Sequence, residues 1–244
     1  MPRMSEGGTV GTRLRGLAAL AIIGIATTVT ACGSAASSVT QPTAPASAAA
    51  SQPATQAATA AAIPAGDHRI GGAAQGISIE VPASFMVIDL GSLPQAKAAL
   101  RKLGLSGAKA ATITQSIPAL QKVHGVIAVD AASASHGFAG NLNAYCVDSG
   151  TDLTGSDLVP ALKQGASELQ QNLGAKDITS TDEQVGGVPG LKTSYQLQSS
   201  GFGAIYGTQL EVAPKPHKAC FVTLTEGQSA AEILSVAAAS AQFY

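Results

Sequence analysis

The chain has no tryptophan, and aromatic residues fill only 4% of its 244 positions. Charge is scarce as well, at 12% of residues, with a formal net charge of -1. So few Lys and Arg exclude a nucleic-acid binder, which needs clustered basic side chains to displace counterions from phosphates. The same scarcity leaves no polybasic patch for anionic headgroups. No uninterrupted run reaches the roughly 20 apolar residues of a membrane-spanning helix. No Asn-x-Ser/Thr sequon occurs. His68, His124, His136 and His217 are scattered, without the close His/Cys/carboxylate spacing of a metal site. There is no His-Glu-x-x-His and no Gly-x-Ser-x-Gly nucleophile elbow.

What is present begins with Val29-Thr30-Ala31-Cys32, a lipobox. Arg13 and Arg15 form a positive n-region, and Leu17 to Ala31 is an apolar h-region, interrupted by Thr27, Thr28 and Thr30. Small residues precede the cysteine, as signal peptidases require. The pattern resembles bacterial lipoprotein signals, in which the cysteine thiol is diacylated and becomes the new N-terminus. On this reading residues 1–31 are a signal peptide and Cys32 carries the lipid, palmitate included. Processing then removes three basic residues and one acidic residue, leaving a net charge of about −3. Two or more acyl chains anchor stably where one does not. The expected location is the extracytoplasmic face of the cell membrane, with partial release allowed.

Three cysteines are present, and Cys32 is taken by the lipid. Cys146 and Cys220 are left, and an even remainder in an oxidising compartment reads as a disulfide. Two buried free thiols are the alternative. The bridge would close a loop of about 75 residues, for which chain entropy gives roughly 4 kcal/mol.

Residues 32–66 comprise the lipidated cysteine and a tether of Ala, Ser, Thr, Pro and Gln. Residues 33–65 contain no charge and no aromatic. Such a composition cannot bury enough apolar surface to offset ordering entropy, so disorder is expected. As a coil it would reach on the order of 30 Å, and fully stretched about 100 Å. Its Ser/Thr/Pro content permits O-glycosylation.

Residues 67–244 suit one domain with one core. Ile77, Ile79 and Val81 alternate with Ser78 and Glu80, which predicts a half-buried strand, and Phe85 to Leu90 reads as its hairpin partner. Leu93, Ala96, Leu100 and Leu103 recur at helical spacing. A second helix is predicted from Ala108 to Lys122, kinked by Pro118. Strands are predicted at Val126 to Asp130 and Leu142 to Val147. A helix capped by Ser156 carries the stripe Leu158, Leu162, Leu169 and Leu173, and stops at Gly174. Further strands follow at Ile178 to Val185, from Leu191 to Leu197, at Ile205 to Val212, and through Cys220, Val222 and Leu224. Ser229 and Glu232 form a capping box for a last helix, with Ile233, Leu234 and Val236 inward. The expectation is an α+β fold, an antiparallel sheet with helices packed on it.

Ile77-Ser78-Ile79-Glu80-Val81-Pro82 with Phe85 resembles the opening hairpin of PsbP-like proteins. Asn141-Leu142-Asn143, the helix from Ser156, and Gly187-Val188-Pro189-Gly190-Leu191-Lys192-Thr193-Ser194-Tyr195 are similar to that fold in order and spacing. So are the strand through Gln209 and the closing Ser240-Ala241-Gln242-Phe243. With the lipobox and tether, the whole resembles LpqN-type lipoproteins of mycobacteria and related actinobacteria. The resemblance implies a PsbP-like α/β/α sandwich. It also implies a link to mycolyl-lipid handling and to transport partners.

Several patterns bear on chemistry. Ser106-Gly107-Ala108-Lys109 fits Ser-x-x-Lys, and Lys192-Thr193-Ser194 resembles part of the Lys-Thr-Gly strand of serine penicillin-binding enzymes. Ser106 reads better as a helix N-cap. Gly201 to Gly207 partly imitates a nucleotide loop, yet lies between strands. Asp182-Glu183 reads as a solvated edge. Tyr145, Tyr195, Tyr206, Phe202 and Phe221 read as core before they read as a ligand groove. The sequence therefore predicts a non-enzymatic envelope protein with no catalytic, metal or cofactor residues. Its ligand-binding residues are not identified. It is expected to bind an envelope lipid, a glycolipid or a protein partner, with a pure protein adaptor as the alternative and a serine-dependent hydrolase behind both. A carrier needs an apolar pocket, which the small side chains Ala96, Ala98, Ala99, Ala110 and Ala111 locate under residues 93–122.

Overall fold

The computed structural model describes residues 67–130, 132–133, 138–150, 160, 169–171, 173–199, 201–227 and 231–244. Cys32, the tether, His136 and most of the helix expected from Ser156, including Leu158 and Leu162, lie outside them. So does the Ser229 cap.

Ten strands and three helices, with further helical residues at 160, 169–171 and 173, make up the described fold. In chain order they are β1 (His68–Gly72), β2 (Ile77–Val81), β3 (Phe85–Ile88), α1 (Leu93–Lys102), α2 (Gly107–Lys122), β4 (Val126–Asp130) and β5 (Asn141–Asp148). Then come β6 (Lys176–Val185), β7 (Val188–Ser199), β8 (Gly203–Lys215), β9 (Lys218–Glu226), α3 (Ala231–Ser240) and β10 (Gln242–Phe243). A 3-10 turn, Ala73–Gln75, joins β1 to β2. The large sheet has the order β3-β4-β5-β9-β8-β7-β6, and the small sheet β1-β2-β10. All strand pairs are antiparallel. The class is α+β, with helices on both faces of the large sheet.

Local chemistry explains the elements. Ser92 caps α1 by accepting the Gln95 N–H at 3.3 Å, and Pro94 follows where no donor is needed. Gly186 and Gly187 both take left-handed φ, at 57° and 77°, so β6 and β7 close through a two-residue hairpin. The sequence places this turn across Gly186-Gly187-Val188-Pro189-Gly190, and the structure confines it to Gly186 and Gly187. Gly186 also donates to Ala238 O at 2.7 Å, which satisfies a carbonyl near the end of α3. Gly174 stops the preceding helix in left-handed conformation, φ 66°, donating to Gln170 O at 3.0 Å.

The strand pairing corrects one expectation. Residues 77–81 and 85–88 are both strands, yet they do not form a hairpin. β2 pairs with β1 and β10, and β3 pairs with β4. The turn after Pro82 carries the chain from one sheet to the other. β2 is also buried along its whole length, not on one face only. Ile77, Ile79 and Val81 face the core. Ser78 and Glu80 are covered by Arg69, which hydrogen-bonds both side chains, and by Ser240 and Tyr244.

Side-chain alternation divides the large sheet into two cores. One face carries Ala128, Leu142, Ala144, Leu210, Cys220, Val222 and Leu224 against β2 and α3. The other carries Ile127, Val129, Leu191, Tyr145 and Phe221 against α1 and α2. Further along that second face, Tyr195, Leu197 and Ile205 pack with Leu169 and Leu173. Tyr195 and Val222 therefore lie on opposite faces of the same sheet, and Leu169 and Leu173 pack on the face that carries Tyr195.

Candidate functional site

Between the two apolar clusters of the second face runs a row of polar side chains. Asn143, Thr223, Gln209, Thr193 and Ser180 are register partners across β5, β9, β8, β7 and β6. Four of the five are buried, and Ser180 is half-buried. They bond along the row: Thr223 Oγ1 donates to Gln209 Oε1 at 3.5 Å, and Ser180 Oγ lies 3.1 Å from Thr193 Oγ1. A sheet centre filled this way departs from the usual apolar core. It fixes register, because a one-residue slip would carry the whole polar row to the opposite face.

Glu211 sits one row away, 3% exposed, bonded to Gln209. Burial raises its carboxyl from the ordinary 4.5 to about 8, with the Gln209 bond opposing the shift. Burial also pushes the Tyr145 and Tyr195 hydroxyls upward, and Glu211 adds to both shifts. Tyr145 Oη is buried without a hydrogen-bond partner. Tyr145 stacks on Phe221, with ring centroids 5.3 Å apart. At the sheet's far end, burial and then Asp130 raise Glu226 to about 7. Glu211 is not among the site residues expected from the sequence, although a carboxyl in the strand Gln209-Leu210-Glu211-Val212 is the available signal.

Cys146 and Cys220 stand directly opposite in β5 and β9, sulfurs bonded, with Cα atoms 4.0 Å apart. Ser106 occupies the N-cap position of α2, exposed, with no side-chain cap bond. Lys192 pairs with Glu183 at 3.4 Å, and Thr193 belongs to the polar row, so neither converges on Ser106. Gly203 serves the β7–β8 hairpin with φ 75°, and Gly207 lies under Tyr195. Phe202 packs edge-on to Phe138 at 5.5 Å, while Tyr206 is exposed. His124 and His217 take left-handed φ of 52° and 60°, at the end of α2 and in the β8–β9 turn. Among the described residues, no group of three His, Cys, Asp or Glu is placed to hold a metal. No described helix is long and apolar enough to cross a membrane.

Two hollows bear on binding. A cleft of about 490 Å³ lies where the end of β3 meets the start of β4, lined by Gln75, residues 87–91, Gln121 and residues 124–126. Its rim is held in place: Gln121 Nε2 donates to Leu90 O at 2.5 Å, and Gly91 N donates to Asp89 Oδ1 at 2.8 Å. A hollow of about 300 Å³ opens between α1 and α2, lined by Lys97, Arg101 and Thr114 as well as Ala110 and Ala111. The core beneath it is filled by Leu100, Leu105, Ile113, Ile117 and Leu120, each 2% exposed or less.

No protein-family model matches this chain, and no curated protein does. Among solved structures, cyanobacterial PsbP from Synechocystis sp. PCC 6803 aligns with 78% of this chain and 98% of its own, at 12% identity and a TM-score of 0.45. A Bacteroides thetaiotaomicron protein aligns over 72% of this chain at 11% identity and a TM-score of 0.40, and the match spans about half (48%) of its length. A Pseudomonas aeruginosa protein of unknown function aligns over 37% of this chain and 60% of its own, at 15% identity and a TM-score of 0.31.

Proposed function

We propose that this chain is a cell-envelope lipoprotein, anchored through Cys32, whose folded domain binds a protein partner without catalysis. The lipobox and the Ala/Ser/Thr/Pro tether support the anchoring. The likeness to LpqN-type lipoproteins of actinobacteria, read from the sequence, supports a role in envelope assembly or transport.

The observation that carries the binding mode is the packing under α1 and α2. A lipid or glycolipid carrier needs an enclosed apolar cavity. Here Leu100, Leu105, Ile113, Ile117 and Leu120 fill that space against Tyr145 and Phe221. The open features are instead at the sheet edge, where Met86 and Val87 are half exposed beside the larger cleft. The carrier reading retains one foothold, the hollow at Ala110 and Ala111.

Native mass spectrometry of the full-length protein, extracted from its own envelope, separates the two. An adaptor has the mass of the chain and its covalent acyl groups. A stoichiometric additional lipid or glycolipid would replace the adaptor with the carrier.

A further inference from the structure

We propose that β3 accepts an extended segment of a partner protein as an eighth strand of the large sheet. This rests on the reading of the domain as a protein-binding adaptor and specifies its docking surface.

The two edges of the large sheet are unlike. β6 is defended in the manner of monomeric proteins, by Lys176, Asp177, Asp182 and Glu183 and by a register shift between Lys176 and Thr179. β3, Phe85-Met86-Val87-Ile88, has no charge and no bulge, and among the described residues it pairs only with β4. Such an edge presents unpaired N–H and C=O groups, the template for strand addition. Phe85 and Ile88 are buried, which anchors the strand. Met86 and Val87 are 52% and 49% exposed, one toward each face of the sheet.

The cleft continues this edge. Val87 and Ile88 belong to its wall, and the rim at Leu90 and Gly91 is fixed by Gln121 and Asp89. A preformed rim reduces the ordering cost of binding. Its 490 Å³ falls in the range of ligand pockets, on the order of 300–1,000 Å³. An incoming strand would set its backbone against β3 and place one side chain in the cleft beside Val87.

Size decides the occupant. A stable dimer interface takes roughly 20–30 residues from each partner. β3 offers four residues, and the cleft is lined by ten, two of them from β3 itself. That is too small for a second copy of this chain and suits a short extended segment. Its chemistry follows from the wall: uncharged backbone pairing along β3, and at the cleft one side chain with an apolar stem toward Val87 and Leu90 and a polar end toward Gln75, Asp89, Gln121 and His124.

The test places a photocrosslinking amino acid at Met86, at Val87, or at Thr181 on β6, in the full-length lipoprotein in its own envelope. Adducts from 86 and 87 to a defined segment of another protein, with none from 181, are expected. A synthetic peptide copying that segment should bind the purified full-length protein. It should weaken at least about tenfold on Val87→Lys, and on N-methylation of the amides on one edge of the peptide only. An adduct of twice the chain mass, an adduct to lipid, or equal loss from N-methylation on either edge would overturn strand addition at β3. Protein adducts confined to other exposed positions would remove this inference and leave the adaptor. Absence of protein adducts at every exposed position tested would remove both.

Discussion

The ring of Tyr195 lies across Gly207, its register partner on β8, so closely that a Cβ at 207 would sit 2.1 Å from Tyr195 Cζ. Tyr195 is 3% exposed and packs with Leu169, Leu197 and Ile205, so the ring has little room to retreat. Gly207→Ala should therefore destabilise the fold by about 1–3 kcal/mol, as overpacking does. Adding Tyr195→Leu should recover part of that loss, a coupling measurable by a double-mutant cycle in urea. Strict additivity of the two changes would show that the ring does not hold the glycine.

Glu211 should make stability depend on pH. Its pKa is about 8 in the folded chain against an ordinary 4.5. Between those values the native state holds a proton that the unfolded chain releases, so stability falls as pH rises through the window. The shift corresponds to on the order of 5 kcal/mol across it. Glu226, raised to about 7, contributes a slope of the same sign. Glu211→Gln keeps the hydrogen-bonding shape without the charge. Urea denaturation at pH 5 and pH 8.5 should show a flatter pH dependence in the variant, and greater stability than the parent at the higher pH. An unchanged slope would place the response on other groups.

The bond between Cys146 and Cys220 ties β5 to β9 in the middle of the large sheet and closes a sequence separation of 74 residues. Reduction, or replacement of both cysteines by alanine, should cost about 2–4 kcal/mol. Thiol alkylation of the unreduced, denatured protein should label neither residue. Full labelling of both would contradict the bridge.

Two serines in equivalent positions should behave differently. Ser92 accepts the Gln95 N–H, whereas Ser106 makes no such bond. Ser92→Ala should cost about 1 kcal/mol, and Ser106→Ala less than about 0.5 kcal/mol, measured by denaturant midpoints. If Ser106 served a nucleophilic role, a fluorophosphonate or β-lactam probe would label it, and labelling would overturn the non-enzymatic reading.

Alternation and helical spacing made most of the fold legible. Leu93 to Leu103 and Ala108 to Lys122 are helices because their apolar residues share a face, and Cys220, Val222 and Leu224 share a face for the corresponding reason in a strand. Pairing was less legible. Pro82 marks a turn but not whether the chain re-enters the same sheet, and β1 and β10, which complete the small sheet, are too short or too glycine-rich to show a period. The polar row was hidden for a different reason. Asn143, Thr223, Gln209 and Thr193 alternate with apolar residues as solvent-facing positions would, and only the cover over that face makes them interior. The open edge at β3 was likewise invisible, because it depends on strand order.

The lipid proposed on Cys32 would hold this domain at the membrane. Intact mass spectrometry of the N-terminal peptide of the mature protein reads that lipid and the cleavage site together. The expected result is a chain beginning at Cys32 with diacylglycerol on the thiol, and loss of both cleavage and lipid in Cys32→Ala. A mature chain that begins elsewhere, or an unmodified Cys32 in membrane-bound protein, would contradict it.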